Sequence, residues 1–286
     1  MTSLRLWILL SLSTFISSVL PSPQQVPIPG AVPFTFRNAT FDDLDDVTTV
    51  YVDAFSRAPT WSYIRQFSDM YPNYTWTCQN EMLKKIYLNN SNMGSIAIKV
   101  ISVPDKQSHR KERVVSISAW ELDPLLQATD MSLLSASLAG LGTGISSRPV
   151  SSTEPAQKDF DCEAHLDMNM TRALHFQKKV FDGQDKYLLK PYGPQFVLSL
   201  LATHPDWDGN GFAAKHLHWG KKALAEMNQA PEHLEHPMPL TLIGTPAGYP
   251  LYLSKGFEGV GNITIERLDD KGTLWMEAMK YDGEVD

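Results

Sequence analysis

No part of the chain constrains the fold more than Phe196-Val197-Leu198-Ser199-Leu200-Leu201-Ala202, a continuous apolar run closed by Pro194 and Pro205. Its length is that of a strand, and a run without polar alternation predicts a strand buried on both faces. Such a strand must lie inside a sheet. Neighbours take its backbone groups, and helices on both faces cover its side chains.

The rest of the chain supplies those neighbours. Residues 34–37 read as a short strand, and Thr40 as the N-cap of a helix through Leu44, Val47, Val50, Tyr51 and Ala54, with Asp42 and Asp43 in its first turn. A second helical region spans about 61–87 and breaks around Pro72. Residues 95–103 and 113–122 alternate as strands, and the polar stretch 104–112 joins them in an antiparallel hairpin. From 124 to 156 Ser, Gly, Thr and Pro interrupt the pattern, which reads as a flexible insertion or lid. A helix is expected over about 160–181. Another over about 211–228 carries the stripe Ala213, Leu217, Gly220, Leu224 and Met227. Residues 240–243 form a short buried strand. Residues 248–254 form a short helix that ends at Lys255-Gly256, and 259–267 and 273–280 are the last two strands. Strands and helices alternate in a mixed sheet, so the fold class is α/β. The expected organisation is an apolar start at 1–20, a Pro-rich linker at 21–33, and one domain over 34–286 with an insertion at about 124–190.

The composition narrows the function. With 20% charged and 43% apolar residues the chain can bury a sizeable core, and a net charge of -7 argues against nonspecific nucleic-acid binding. Cys78 and Cys162 form no Cys-x-x-Cys, so a thiolate zinc site is excluded. They either pair in a secreted protein or remain two unrelated thiols. His216 and His218 stand two apart on a helix and cannot chelate together, and no metal site emerges. The start carries one positive charge before an apolar stretch headed by Leu6-Trp7-Ile8-Leu9-Leu10, with small residues Ser17 and Ser18 near its end, the layout of a signal peptide. Glycosylation acceptors begin at Asn38, Asn73, Asn89, Asn169 and Asn262. Both features favour the secretory pathway, with the cytoplasm as the alternative. Membrane contact is expected only through the N-terminal segment, if it is retained.

The segment with chemistry is His204-Pro205-Asp206-Trp207-Asp208-Gly209-Asn210-Gly211-Phe212-Ala213, between the buried strand and an amphipathic helix. A helix start exposes unpaired N–H groups and a partial positive charge, and an anion such as a pyrophosphate binds there readily. Glycines let a ligand approach the backbone, and successive turns can make their N–H groups converge. No Gly-Lys-Ser/Thr follows, which removes a P-loop, and no Gly-x-Ser-x-Gly marks a serine hydrolase.

Here the sequence resembles the GNAT superfamily of N-acetyltransferases, whose Gln/Arg-x-x-Gly-x-Gly/Ala motif lies between the fourth strand and the third helix. Gly211 and Ala213 match, whereas Asp208 stands where the superfamily has Gln or Arg. His-Pro-Asp-Trp and His218-Trp219-Gly220 look like the fungal members. A second motif, Gly248-Tyr249-Pro250-Leu251-Tyr252-Leu253-Ser254-Lys255-Gly256-Phe257, is similar to the late helix that ends in Leu-Tyr-x-x-x-Gly-Phe.

The resemblance covers roughly 34–281 and implies the acyl-CoA N-acyltransferase fold, a mixed and largely antiparallel sheet flanked by helices. It implies acetyl-CoA as cosubstrate, its pyrophosphate held by Asp208, Gly209, Asn210, Gly211, Phe212, Ala213 and Ala214. Backbone at the end of the buried strand (Leu201, Ala202, Thr203) would polarise the thioester carbonyl. The acceptor, a small-molecule amine or a peptide, would attack directly. Tyr252 would protonate the leaving thiolate, its ordinary pKa of about 10 suiting the task. Glu121 is the candidate base. Each residue has a plainer reading: Tyr252 as a packed tyrosine, Glu121 as a solvated strand-end acid, Trp120 as core, His204 as a loop cap. The alternative function is a non-catalytic secreted binding protein on the same fold, which the departure at Asp208 favours.

Overall fold

The apolar run forms β4 (Phe196–Thr203), in the middle of a sheet with β1 (Thr35–Asn38), β2 (Ile96–Pro104), β3 (Glu112–Glu121), β5 (Leu240–Gly244), β6 (Glu258–Glu266) and β7 (Thr273–Tyr281). The computed structural model describes residues 32–93, 96–105, 111–121, 161–268 and 272–283. The apolar start, most of the linker and the first part of the expected insertion lie outside the described residues. The seven strands run in the order β1-β2-β3-β4-β5-β7-β6. Every neighbouring pair is antiparallel except β4–β5, which is parallel. The sheet is therefore mixed and largely antiparallel.

Helices cover both faces, as a doubly buried central strand requires. α1 (Leu44–Phe55) and α3 (Pro72–Met93) bury Val47, Tyr51, Leu83 and Ile86 against Ile117, Leu200 and Ala202. On the same side of the sheet, α2 (Pro59–Ile64) and α4 (Met170–Gln184) pack Tyr63, Ile64 and Phe176 against Ile263, Ile265 and Met276. The opposite face receives α5 (Phe212–Met227) and α6 (Tyr249–Ser254), with Leu217, Leu224 and Tyr252 against Leu198, Leu240 and Met279.

Local chemistry sets the boundaries. The helical region expected over 61–87 is broken ahead of Pro72, as read: Pro59 starts α2, the chain leaves helical geometry at Arg65, and Pro72 starts α3. The helix expected from about 160 starts at Met170, where the Asn169 side chain accepts from the Arg172 amide. It also runs on past 181, through a π turn at Asp185–Leu189, and stops at Gly193 in a left-handed conformation ahead of Pro194. Cys78 of α3 and Cys162 form a disulfide, and the Tyr74 hydroxyl donates to the Asp161 carbonyl at 2.7 Å. These two links fix the approach to α4 onto α3.

One glycine sets how closely α5 approaches the sheet. A Cβ on Gly220 would sit 2.1 Å from the Trp120 ring. That ring cannot yield: it is fully buried, stacked on Phe196 at 5.2 Å and held by its N–H bond to Ser118. Gly220→Ala is expected to cost about 2 kcal/mol through overpacking. The melting temperature should fall by roughly 5 °C. An unchanged melting curve would contradict this account of the packing.

Candidate functional site

The site begins with strands that separate. β4 pairs with β5 only at Phe196, Val197 and Leu198, opposite Leu240, Thr241 and Leu242. β4 continues to Thr203 along β3, but beyond Leu198 that edge of β4 has no paired strand among the described residues. A bulge adds to the divergence. Ala119 faces Leu200 and Trp120 faces Leu198, so Ser199 is the extra residue, its hydroxyl donating to the Ala119 carbonyl at 3.2 Å. Leu201, Ala202 and Thr203 all lie on the separated stretch. Leu201 lines the resulting cleft, the Ala202 side chain belongs to the core under α1, and the Thr203 hydroxyl bonds Ser116. Ala202 and Thr203 can thus offer only main chain.

Beyond Thr203 the chain makes a single 3-10 turn, Pro205–Trp207, and enters α5. His204 caps this turn: its Nδ1 accepts from the Asp206 amide and its Nε2 lies 3.1 Å from Asp53 of α1. The Asn210 side chain donates back to the Trp207 carbonyl at 3.0 Å. Gly209 and Gly211 are left-handed, at φ 79° and 75°, a conformation other residues adopt only with strain. A Cβ on either would meet nothing within 4 Å. The space beside these glycines is open.

The first helical amide with a carbonyl partner is that of Lys215, which donates to Gly211. The amides from Gly209 to Ala214 have no acceptor among the described residues. They are the orphan donors of a helix start, joined to a turn that carries two further N–H groups. Asp208, the departure from the superfamily motif, pairs loosely with a cation of its own. Its side chain is 67% exposed, and its carboxylate lies 4.0 Å from the Arg57 guanidinium.

The cleft between the separating strands holds a cavity of about 130 Å³. It reaches through the sheet, from Tyr252 on the α6 side to α1, α2 and α4 on the other. Glu121 and Tyr252, which stand far apart in sequence, line the same cavity. Glu121 closes β3 opposite Val197 and is 2% exposed, so it is not a solvated strand-end acid. Tyr252 sits over two close glycines. A Cβ on Gly244 or Gly248 would come within 3.3 Å of its ring. Its hydroxyl is not at the ordinary phenol pKa expected from sequence, because burial raises it. Trp120 is core, and His216 is a neutral core histidine: burial holds its pKa down at about 3, and its Nδ1 lies 2.7 Å from the Ser118 hydroxyl.

Sequence reasoning missed the wall opposite Tyr252. α4 contributes Phe176, Gln177, Val180, Phe181 and Gln184, and α1 and α2 contribute Phe55, Trp61 and Arg65. The apolar stripe on α4 was visible in the sequence, but a stripe reads the same whether it faces core or cleft. The buried ion pair behind this wall carried no sequence signal, because its partners are 102 residues apart. Arg65 pairs with Asp167, which also accepts from the Thr75 hydroxyl at 2.7 Å. The guanidinium lies 4.7 Å above the Trp61 ring.

The chain matches no family model, and no curated protein matches it. Among solved structures it is similar to the histone acetyltransferase HPA2 and related acetyltransferase from Corynebacterium glutamicum, at 17% identity and a TM-score of 0.45, over 88% of this chain and 98% of that one. It is similar to an N-acetyltransferase from Staphylococcus aureus, at 11% identity and a TM-score of 0.43, over 88% and 99% of the two chains. The PaiA N-acetyltransferase from Thermoplasma acidophilum in complex with coenzyme A aligns at 9% identity and a TM-score of 0.43, over 87% and 100%.

Proposed function

We propose that the protein transfers an acetyl group from acetyl-CoA to an amine by direct attack on the thioester. One observation carries this reading: the free amides of Gly209 to Ala214 lie at the end of a strand that has left its neighbour, next to a cleft lined by an acid and a phenol. The amides suit a diphosphate. The unpaired edge of β4 after Leu198 suits an extended, amide-bearing arm, and the cleft suits the thioester end.

In this scheme the Glu121 carboxylate takes one proton from the bound ammonium, and the neutral nitrogen attacks the carbonyl carbon. The C–N bond forms, the C–S bond breaks, and a free β4 amide steadies the oxyanion. The adduct then loses a second proton as Tyr252 gives its own to sulfur. One proton returns to Tyr252 and one goes to solvent. Because burial raises the Tyr252 pKa, its first contribution is a hydrogen bond to the developing thiolate, and transfer follows as cleavage completes.

The direct test is acetyl-CoA binding by the purified protein, together with release of free thiol when an amine is added. Failure to bind acetyl-CoA would end the reading. Tyr252→Phe should lower kcat by about 100-fold and leave acetyl-CoA binding near its original strength, as for loss of a general acid. The Tyr252 hydroxyl has no hydrogen-bond partner among the described residues, so its removal should leave the fold intact. Unchanged kcat would remove Tyr252 from proton transfer.

We also infer one domain over 34–286, with the insertion at about 124–190 shaping the acceptor side. The fungal look of the His204 and His218 segments belongs to the same proposal. So does entry into the secretory pathway, which the Cys78–Cys162 disulfide favours, since such bonds persist in oxidising compartments.

A further inference from the structure

On the acetyl-transfer reading, on which this inference rests, the free amides need a loop that stays in place. The loop between β4 and α5 shapes itself. Trp207 and Asp208 donate their amides to the His204 and Pro205 carbonyls, at 2.8 and 3.2 Å. The Asp206 amide goes to Nδ1 of His204, so the free amides begin at Gly209. Bonds within a loop fix its shape and not its place, and the left-handed Gly209 and Gly211 add freedom. Toward β3, the His204 amide donates to the Val115 carbonyl at 2.8 Å, and the Arg113 guanidinium lies 5.5 Å from the Trp207 ring. Toward α1 there are two side-chain links among the described residues. Asp208 and Arg57 are both mostly exposed, and such pairs contribute little. The other joins His204 to Asp53 at 3.1 Å.

We propose that His204 and Asp53 are a positioning pair that fixes the diphosphate-binding amides against α1. The place of the ring's hydrogen follows from the geometry. Nδ1 accepts from an amide, so the neutral ring carries its hydrogen on Nε2 and donates it to the Asp53 carboxylate. One imidazole thus closes the turn on one side and tethers it to α1 on the other. The His204 side chain is 19% exposed and that of Asp53 46%, so the bond is partly shielded from water. Asp53 stands two residues before Phe55, which lines the cavity. The end of α1 is therefore a common reference for the helix start and for the cleft. A loop already held before the cofactor arrives loses less freedom on binding, and the saving appears as affinity. Neither His204 nor Asp53 lines the cavity, so neither touches the reacting atoms.

The test measures acetyl-CoA binding by calorimetry, and turnover with acetyl-CoA and with S-acetylpantetheine, which keeps the thioester arm and lacks the diphosphate. Asp53→Ala should weaken acetyl-CoA binding about fivefold, the share of a half-exposed charge-assisted hydrogen bond. Asp53→Asn keeps an oxygen that accepts from Nε2 and should stay within about twofold of the unaltered protein. His204→Ala loses both the cap and the tether and should weaken binding about 20-fold. Asp53→Ala added to His204→Ala should cost nothing further, because the two act as one pair. In every variant kcat at saturating acetyl-CoA and kcat/KM with S-acetylpantetheine should hold, whereas damage to the cleft would lower both. The inference is overturned if Asp53→Ala binds acetyl-CoA as tightly as the unaltered protein, if the two single losses multiply in the double variant, or if turnover of S-acetylpantetheine falls alongside. A misfolded His204→Ala leaves Asp53→Ala against Asp53→Asn as the deciding comparison. Failure of the unaltered protein to bind acetyl-CoA would sink the acetyl-transfer reading. Binding and transfer that ignore Asp53→Ala would sink the positioning pair alone.

Discussion

Gly211→Trp is expected to abolish acetyl-CoA binding, with a loss of about 1,000-fold or more. The estimate follows from losing two or three amide hydrogen bonds to a charged group, at about 1.5–3 kcal/mol each. Gly211 is the residue that turns the loop into α5, at φ 75°, with open space where a side chain would project. An indole there occupies the room in front of the free amides and strains a left-handed position. Gly211→Ala separates the two effects. It should cost about 1 kcal/mol of stability through strain and weaken binding far less than tryptophan does. Isothermal titration with acetyl-CoA and a melting curve measure both. Tight binding by a folded Gly211→Trp would remove the helix start from the cofactor site.

Asp167→Ala should be the most destabilising single change considered. It leaves the Arg65 guanidinium buried without its carboxylate and takes the acceptor from Thr75. Breaking a buried pair from one side costs about 3–5 kcal/mol. The melting temperature should drop by roughly 10 °C. The double variant Arg65→Met with Asp167→Leu should recover most of the loss, because the desolvation of both charges goes with them. If the double variant melts as low as the single one, the penalty lies elsewhere than in the stranded charge.

The strands were legible because apolar alternation and turn residues are local. β4 announced itself through an apolar run broken only by Ser199, and β2 and β3 through a hairpin. The two motifs placed the loop at Gly211 and the helix of Tyr252 on the right elements, since glycine chemistry is also local. What could not be read depends on residues distant in sequence. The end of β4–β5 pairing at Leu198 and the bulge at Ser199 arise from three strands brought together. The pairing of Cys78 with Cys162 and of Arg65 with Asp167 needed the fold first. Glu121 could be placed at a strand end, but its burial could not be read from any pattern near residue 121. The start of α4 was readable and was missed: Asn169 followed by Met-Thr-Arg is a capping signal.

The separated edge of β4 and the open turn at Gly209 and Gly211 are built from peptide groups, which every residue possesses. Recognition written in this way is indifferent to most side-chain identities along it and demands only that two positions tolerate an unusual twist. Point changes at neighbouring letters should therefore retune the aromatic side of the cleft without disturbing the grip on the larger partner. Selectivity and anchorage are physically uncoupled, so the one can be re-engineered while the other stays fixed.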